Sequence, residues 1–220
     1  DRLGVLTSEI LTNYKNHEGA YFWVCIIASA FQLYCDFSGC MDIALGASEC
    51  FGIKLDENFN HPFFSESAAE FWRRWHISLS TWFRDYVYFP LGGNRRGNVR
   101  TIRNLFLVWL LTGFWHGAAW NFVIWGLYFF VILMIEKHGF LSVLNKLPTW
   151  IQHGYALFFI NLSWVIFSYD DLHRLILTLK RMFFAGSISI WNSSTTFYCL
   201  QYLILFIIMA LGATPLPKKG

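Results

Sequence analysis

The sequence predicts an all-α, polytopic membrane protein with broken or re-entrant helices and interfacial amphipathic helices. Three observations carry that expectation. Of the 220 residues 55% are hydrophobic and only 14% charged, whereas soluble domains carry roughly 25% charged residues. The run 104–135 has no formal charge at all. Further charge-free runs at 19–35, 147–169 and 197–213 are each long enough to cross, or nearly cross, a bilayer. A net charge of +3, dispersed along the chain, is too weak for a nucleic-acid partner.

Taken in order, the first apolar run leads directly into Asp36-Phe37-Ser38-Gly39-Cys40-Met41-Asp42, and a second apolar stretch follows with Glu49 inside it. Carboxylates are expensive in hydrocarbon and normally face a protein interior or a wet cavity. Asp36 and Asp42 are therefore either functional groups or, for Asp36, a cap at the interface. The five cysteines have no metal-ligand spacing and are expected to be small packing residues.

Residues 54–66 form a polar loop with Pro62 in it, where a helix cannot continue. Ser67-Ala68-Ala69-Glu70 reads as a capping box, opening a helix that Pro90 and Gly92-Gly93 end. On a wheel with His76 at about 0°, Phe71, Trp72, Trp75, Leu79, Trp82, Phe83 and Tyr86 fill an arc from about −140° to −20°. Ser80, Arg73 and Arg84 follow at about 40°, 60° and 80°. Such a helix lies in the interface or lines a cavity, since its polar arc is too charged to face lipid. His76 falls on the seam.

Four arginines then occupy the loop Gly92-Gly93-Asn94-Arg95-Arg96-Gly97-Asn98-Val99-Arg100-Thr101-Ile102-Arg103. Beside hydrophobic segments, they place it on the cytoplasmic side. As one helix, 104–135 would be about 48 Å long, against a hydrocarbon core of about 30 Å. Gly113 and Gly117, which flank His116, mark the expected break. His17, His61, His138, His153 and His173 sit in polar or boundary stretches and are read as structural.

The chemistry therefore centres on two histidines. Metal ligation is unsupported, because neither His116 nor His76 has a second His or Cys at helical spacing. A serine nucleophile is unsupported too, since no Gly-x-Ser-x-Gly elbow occurs. What remains is an imidazole able to take a proton from a hydroxyl in a water-poor cavity. The residues alone leave a transporter's proton relay, with Asp36, Asp42 and His116 as its path, as the competing class.

Five segments in order resemble one family: Asp36-Phe37-Ser38-Gly39; Glu57-Asn58-Phe59-Asn60-His61-Pro62-Phe63; Phe71-Trp72-Arg73-Arg74-Trp75-His76 through Tyr86; Pro90-Leu91-Gly92-Gly93-Asn94-Arg95; and Gly113-Phe114-Trp115-His116-Gly117-Ala118. Together they are similar to the membrane-bound O-acyltransferases, specifically the bacterial branch of alginate O-acetylases. The resemblance implies one membrane-embedded domain over 1–220, with a catalytic core at 30–137 and C-terminal helices at 138–220. It implies further helices before the first residue here. It also implies a buried tunnel open to both faces, with His116 as the catalytic histidine and His76 as the second.

Arg73, Arg84, Ser80, Asp36, Trp115 and Asn121 are then the candidates for substrate contact or for supporting the site. The implied activity is transfer of an acetyl group to a hydroxyl of an extracytoplasmic polysaccharide, in a bacterial cytoplasmic membrane. Acetyl-CoA is the implied donor, with no tightly bound cofactor or metal, and a periplasmic or surface acetyltransferase is the implied partner. A sibling branch moves D-alanine onto teichoic acids but usually lacks the segment at 90–95. Cys40, Phe114 and Phe129-Phe130 depart from the common pattern, the last on the acceptor side.

Overall fold

The expected helices form, but one of them breaks where local sequence does not say it should. The computed structural model describes residues 4, 12, 19–183, 191 and 193–214. Its helices are α1 (Ala20–Cys50), α2 (Ala68–Arg74), α3 (Ile77–Phe83), α4 (Asn98–His116), α5 (Trp120–Ile135), α6 (Leu141–Leu144), α7 (Thr149–Ser168), α8 (Leu172–Phe183) and α9 (Ser193–Ala213). Among the described residues no strand occurs, only an isolated bridge between Phe59 and Trp75. The segments Ala20–Cys50, Trp120–Leu144 and Thr195–Ala213 are long and apolar enough to cross a membrane. The fold is an all-α membrane fold, with α4 and α7 not among the candidate spans.

The chain divides into two compact units, residues 1–39 with 168–220, and residues 40–167. In the first, the Gly19 N–H donates to the Arg181 carbonyl at 3.0 Å. There Trp23 meets Phe183 edge to face at 5.6 Å, and Tyr21 meets Tyr198 at 5.0 Å. Asp36 lies in this unit, exposed on α1. Outward residues of α9 such as Phe197, Leu200, Ile204 and Ile208 are exposed, as suits a helix whose solvent is lipid.

In the second unit α4 and α5 form a hairpin. Phe106 meets Phe130 at 5.5 Å and Trp109 meets Phe129 at 5.5 Å. Nearer the tip, the backbones touch through glycine. A Cβ on Gly126 would lie 2.3 Å from the Trp109 carbonyl oxygen, and one on Gly113 would lie 2.5 Å from that of Phe122. Gly113 is therefore not a break; it lets two helices approach closely. The run 104–135 is two antiparallel helices joined by residues 117–119, so the expected break beside His116 falls at Gly117, not at Gly113. His116 stands at the last position of the first helix.

The capping box forms in a modified version. Ser67 accepts from the Glu70 N–H at 3.1 Å, while Glu70 accepts from the Glu66 N–H at 2.8 Å rather than from Ser67. The remaining orphan donors of α2 are met from far along the chain. Glu136, 2% exposed, accepts from the Ala68 and Ala69 N–H groups at 2.7 and 2.9 Å. A carboxylate at a helix N-terminus satisfies both the unpaired donors and the dipole. Glu136→Ala strands both donors and is expected to cost on the order of 2–4 kcal/mol. Thermal unfolding in detergent checks this, and an unchanged midpoint would contradict it.

The arginine loop is anchored by the buried Asn104 of α4. Its side-chain amide donates to the carbonyls of Leu91 and Gly93 at 3.2 and 3.0 Å. Its Oδ1 accepts from Arg103 at 2.9 Å. Gly92 and Gly93 have φ of 101° and 55°, so the glycine pair is a turn requirement. The cysteines are all free, and only Cys25 is buried, so the packing reading holds for that one alone.

Candidate functional site

The helix expected to run unbroken from Ser67 stops at Arg74. Trp75 is extended (φ −112°, ψ 129°) and His76 is left-handed (φ 46°, ψ 54°) before α3 begins. A non-glycine residue at positive φ costs on the order of 1 kcal/mol or more and persists only where its surroundings hold it. Here the loop before α2 does the holding. The Asn60 N–H donates to the Arg74 carbonyl at 2.9 Å, and the Ile77 N–H donates to the Asn58 carbonyl at 3.1 Å. Ring packing adds to this, with Trp75 meeting Phe59 at 5.0 Å and Phe71 at 5.4 Å. His76 therefore sits in a clamped break and not on the seam of a continuous wheel. Past the break, Trp82 and Tyr86 are exposed, unlike the buried Phe71, Trp72, Trp75 and Phe83.

Asn58 also reaches the imidazole. Its Oδ1 accepts from the Ser78 N–H at 3.1 Å and the Ser78 hydroxyl at 2.6 Å, and lies 3.3 Å from His76 Nδ1. The Ser78 backbone donor fixes which end of the amide is oxygen. His76 Nδ1 must then carry the proton, which leaves Nε2 as the ring's basic nitrogen. Burial holds the His76 imidazole below its ordinary pKa, so the neutral form dominates at neutral pH.

Trp115 joins the two histidines. Its ring centroid is 5.9 Å from that of His76 and 5.0 Å from that of His116. His116 is enclosed further by Trp125 at 4.9 Å, Phe167 at 5.4 Å and Phe122 at 6.5 Å. The first two contacts are edge-to-face, the favoured aromatic geometry. The Asn121 amide donates to the Phe167 carbonyl at 2.7 Å, which ties the end of α7 to the start of α5 beside His116. Four of the sequence candidates, His116, His76, Trp115 and Asn121, thus gather at one place.

Three others form a separate group. Arg73, Ser80 and Arg84 line a cavity of about 250 Å³, walled by Trp72, Val108 and Trp109 among others. The histidines are not among its lining residues. Arg84 is paired with Asp85 at 2.7 and 3.2 Å and lies over the Phe89 ring, while the Ser80 hydroxyl donates to the Trp72 carbonyl at 3.3 Å. Asp36 belongs to the other unit. No cluster of side chains able to hold a metal occurs among the described residues. His138 and His153 donate Nδ1–H to the backbone carbonyls of Met134 and Ser65, as structural histidines do; His17 lies outside the described residues.

Comparison with known proteins decides the family. Residues 9–178 match the model of MBOAT, the membrane-bound O-acyltransferase family. The chain belongs to that family. It is 46% identical over 150 residues to a probable alginate O-acetylase of Azotobacter vinelandii, covering 68% of this chain and 30% of the relative. It is 40% identical over 178 residues to a peptidoglycan O-acetyltransferase of Helicobacter pylori, covering 78% and 33%. A teichoic acid D-alanyltransferase of Bacillus subtilis is 40% identical over 126 residues, covering 54% and 31%. The chain spans about a third of the length of these curated relatives. In this chain, sequence reading missed Asn58, Trp125 and Phe167. Asn58 stood inside one of the matching segments, but Pro62 and the loop around it lie between Asn58 and His76, so no helix relates the two.

Proposed function

We propose that these residues form part of a bacterial cytoplasmic-membrane enzyme that moves an acetyl group onto a hydroxyl of an extracytoplasmic polysaccharide. The observation that carries this reading is the pair of half-buried imidazoles that both pack against Trp115, with further aromatic rings around His116. An imidazole nitrogen takes the proton of the acceptor hydroxyl, and that oxygen attacks the carbonyl carbon of the acetyl thioester. The tetrahedral intermediate collapses with cleavage of the C–S bond, and the thiolate leaves with a proton returned from the imidazolium. His116 is the base in this scheme. His76, its tautomer set by Asn58, orients the acceptor by accepting a hydrogen bond from its hydroxyl at Nε2.

Acetyl-CoA is the proposed donor. Arg73, in the cavity next to the histidines, is its proposed phosphate contact, because a guanidinium meets phosphate in a bidentate pair. A surface acetyltransferase acting after this step is the proposed partner. Relatives named as acetylases of two different polymers support an acetyl group over D-alanine, as does the presence of the segment at 90–95.

The test uses membranes carrying the complete protein, with acetyl-labelled acetyl-CoA and an envelope polysaccharide acceptor. Alkali-labile acetyl ester on the polymer, without a requirement for an ion gradient, is the expected product. Transfer of D-alanine in place of acetyl, or gradient-driven flux with no ester formed, would overturn the reading.

A further inference from the structure

The loop before α2 carries the group that sets His76 in its working state. Asn58 makes five contacts around the helix break, one of them the 3.3 Å approach of its Oδ1 to His76 Nδ1. Its carbonyl accepts from Ile77, its Oδ1 accepts from Ser78 twice, and its Nδ2 lies 3.6 Å from the Met41 sulfur. The Ser78 and Met41 contacts fix the amide in one orientation, with oxygen toward His76 Nδ1. Reversing the amide would set its N–H group against the Ser78 N–H and leave that backbone donor without an acceptor. Ser78 and Asn58 thereby hold a rigid acceptor against one ring nitrogen. Ser78 reaches it from α3, on the far side of the break.

We infer that Asn58 is a positioning residue for acyl transfer, holding His76 as the Nδ1–H tautomer with Nε2 as the reactive nitrogen. The inference rests on the acetyl-transfer reading above. Asn58 touches no reacting atom; it acts through His76. The choice of a neutral amide has a chemical reason. A carboxylate at this position would accept the same hydrogen bonds but favour the protonated imidazolium. That ring has no lone pair at Nε2 to accept a hydrogen bond from the acceptor hydroxyl. An amide gives orientation without charge.

The titratable groups on the elements that meet here are His116 at the end of α4, Arg73 and Arg74 at the end of α2, and Asp56, Glu57 and His61 in the loop. None of these changes in the substitution that tests the inference. Asn58→Asp keeps every oxygen contact and adds one charge beside His76.

The experiment measures two things in membranes carrying the complete protein. One is the pH dependence of acetyl transfer. The other is the pH dependence of His76 carbethoxylation by diethyl pyrocarbonate, with which imidazole reacts only in its neutral form, read at His76 by peptide mass spectrometry. Asn58→Asp is expected to raise the midpoint of His76 labelling by about one pH unit or more. The acid limb of the transfer profile should move up with it, with activity recovered at high pH. Asn58→Ala is expected to lose transfer at every pH, with more effect on kcat than on KM. A labelling midpoint unmoved in Asn58→Asp would overturn the inference, as would a moved midpoint with an unchanged transfer profile. Loss of labelling control without loss of His116-dependent acetyl transfer would overturn it while leaving the functional reading intact. Wild-type transfer by His116→Gln would instead sink that reading itself.

Discussion

His116→Gln is expected to reduce acetyl transfer by a factor of 10²–10⁴, the range a positioned general base supplies. The substitution keeps most of the ring's volume, so the packing of Trp115, Trp125 and Phe167 around it survives. Thermal unfolding should therefore stay close to wild type while kcat falls, with little change in the KM for either substrate. That pattern identifies an interaction made only in the transition state. A variant that inserts at normal levels and transfers at more than a third of the wild-type rate would contradict the assignment. A variant that loses activity only because it unfolds would show itself in the unfolding midpoint.

Gly126→Ala should have the largest effect on the fold for the smallest chemical change. One methyl group at this position meets the backbone oxygen of Trp109 at 2.3 Å, and a backbone atom cannot rotate away. The α4–α5 hairpin must open, at a cost on the order of 3 kcal/mol for overpacking a tight contact. Opening the hairpin also moves its tip, so transfer should fall together with stability. Gly154→Ala is the matched control on α7. A Cβ there meets nothing within 4 Å, and alanine is the better helix former by about 1 kcal/mol. Equal midpoints for the two variants in detergent-solubilised protein would show that the close approach is not a stabilising feature.

Those two positions also mark where sequence reading ends. Absence of charge placed the helices well, because burying charge in lipid is costly at any position along the chain. The start of α2 was legible for a similarly local reason, since a capping box is written within four residues. The break at His76 was not. Nothing between Ser67 and Phe83 disfavours a helix; the break is imposed by Asn58 and Asn60, which pair with it across a loop. At the hairpin the break at Gly117 was legible, but Gly113 was misread because glycine has two uses. Gly113 resembles a helix breaker in sequence and is in fact a contact surface for α5.

The meeting of His76 and His116 was legible only through the resemblance to relatives. Forty residues separate them, and no period relates them. The structure adds the physical link, Trp115, and the unsuspected hydrogen-bond partner, Asn58. Arg73, Ser80 and Arg84 were expected beside the histidines and instead share a neighbouring cavity. A wheel drawn through a helix break rotates everything beyond it, which is why Ser80 and Arg84 were misplaced relative to His76.

The most direct test is a double-mutant cycle on the two histidines. Acetyl transfer would be measured for His76→Gln, His116→Gln and the double variant at equal membrane levels. If the two imidazoles serve one transition state from either side of Trp115, their losses are not additive. The expected result is a double variant within about threefold of the slower single variant. Losses that multiply, or a single variant retaining the wild-type rate, would show that the histidines do not form one catalytic site.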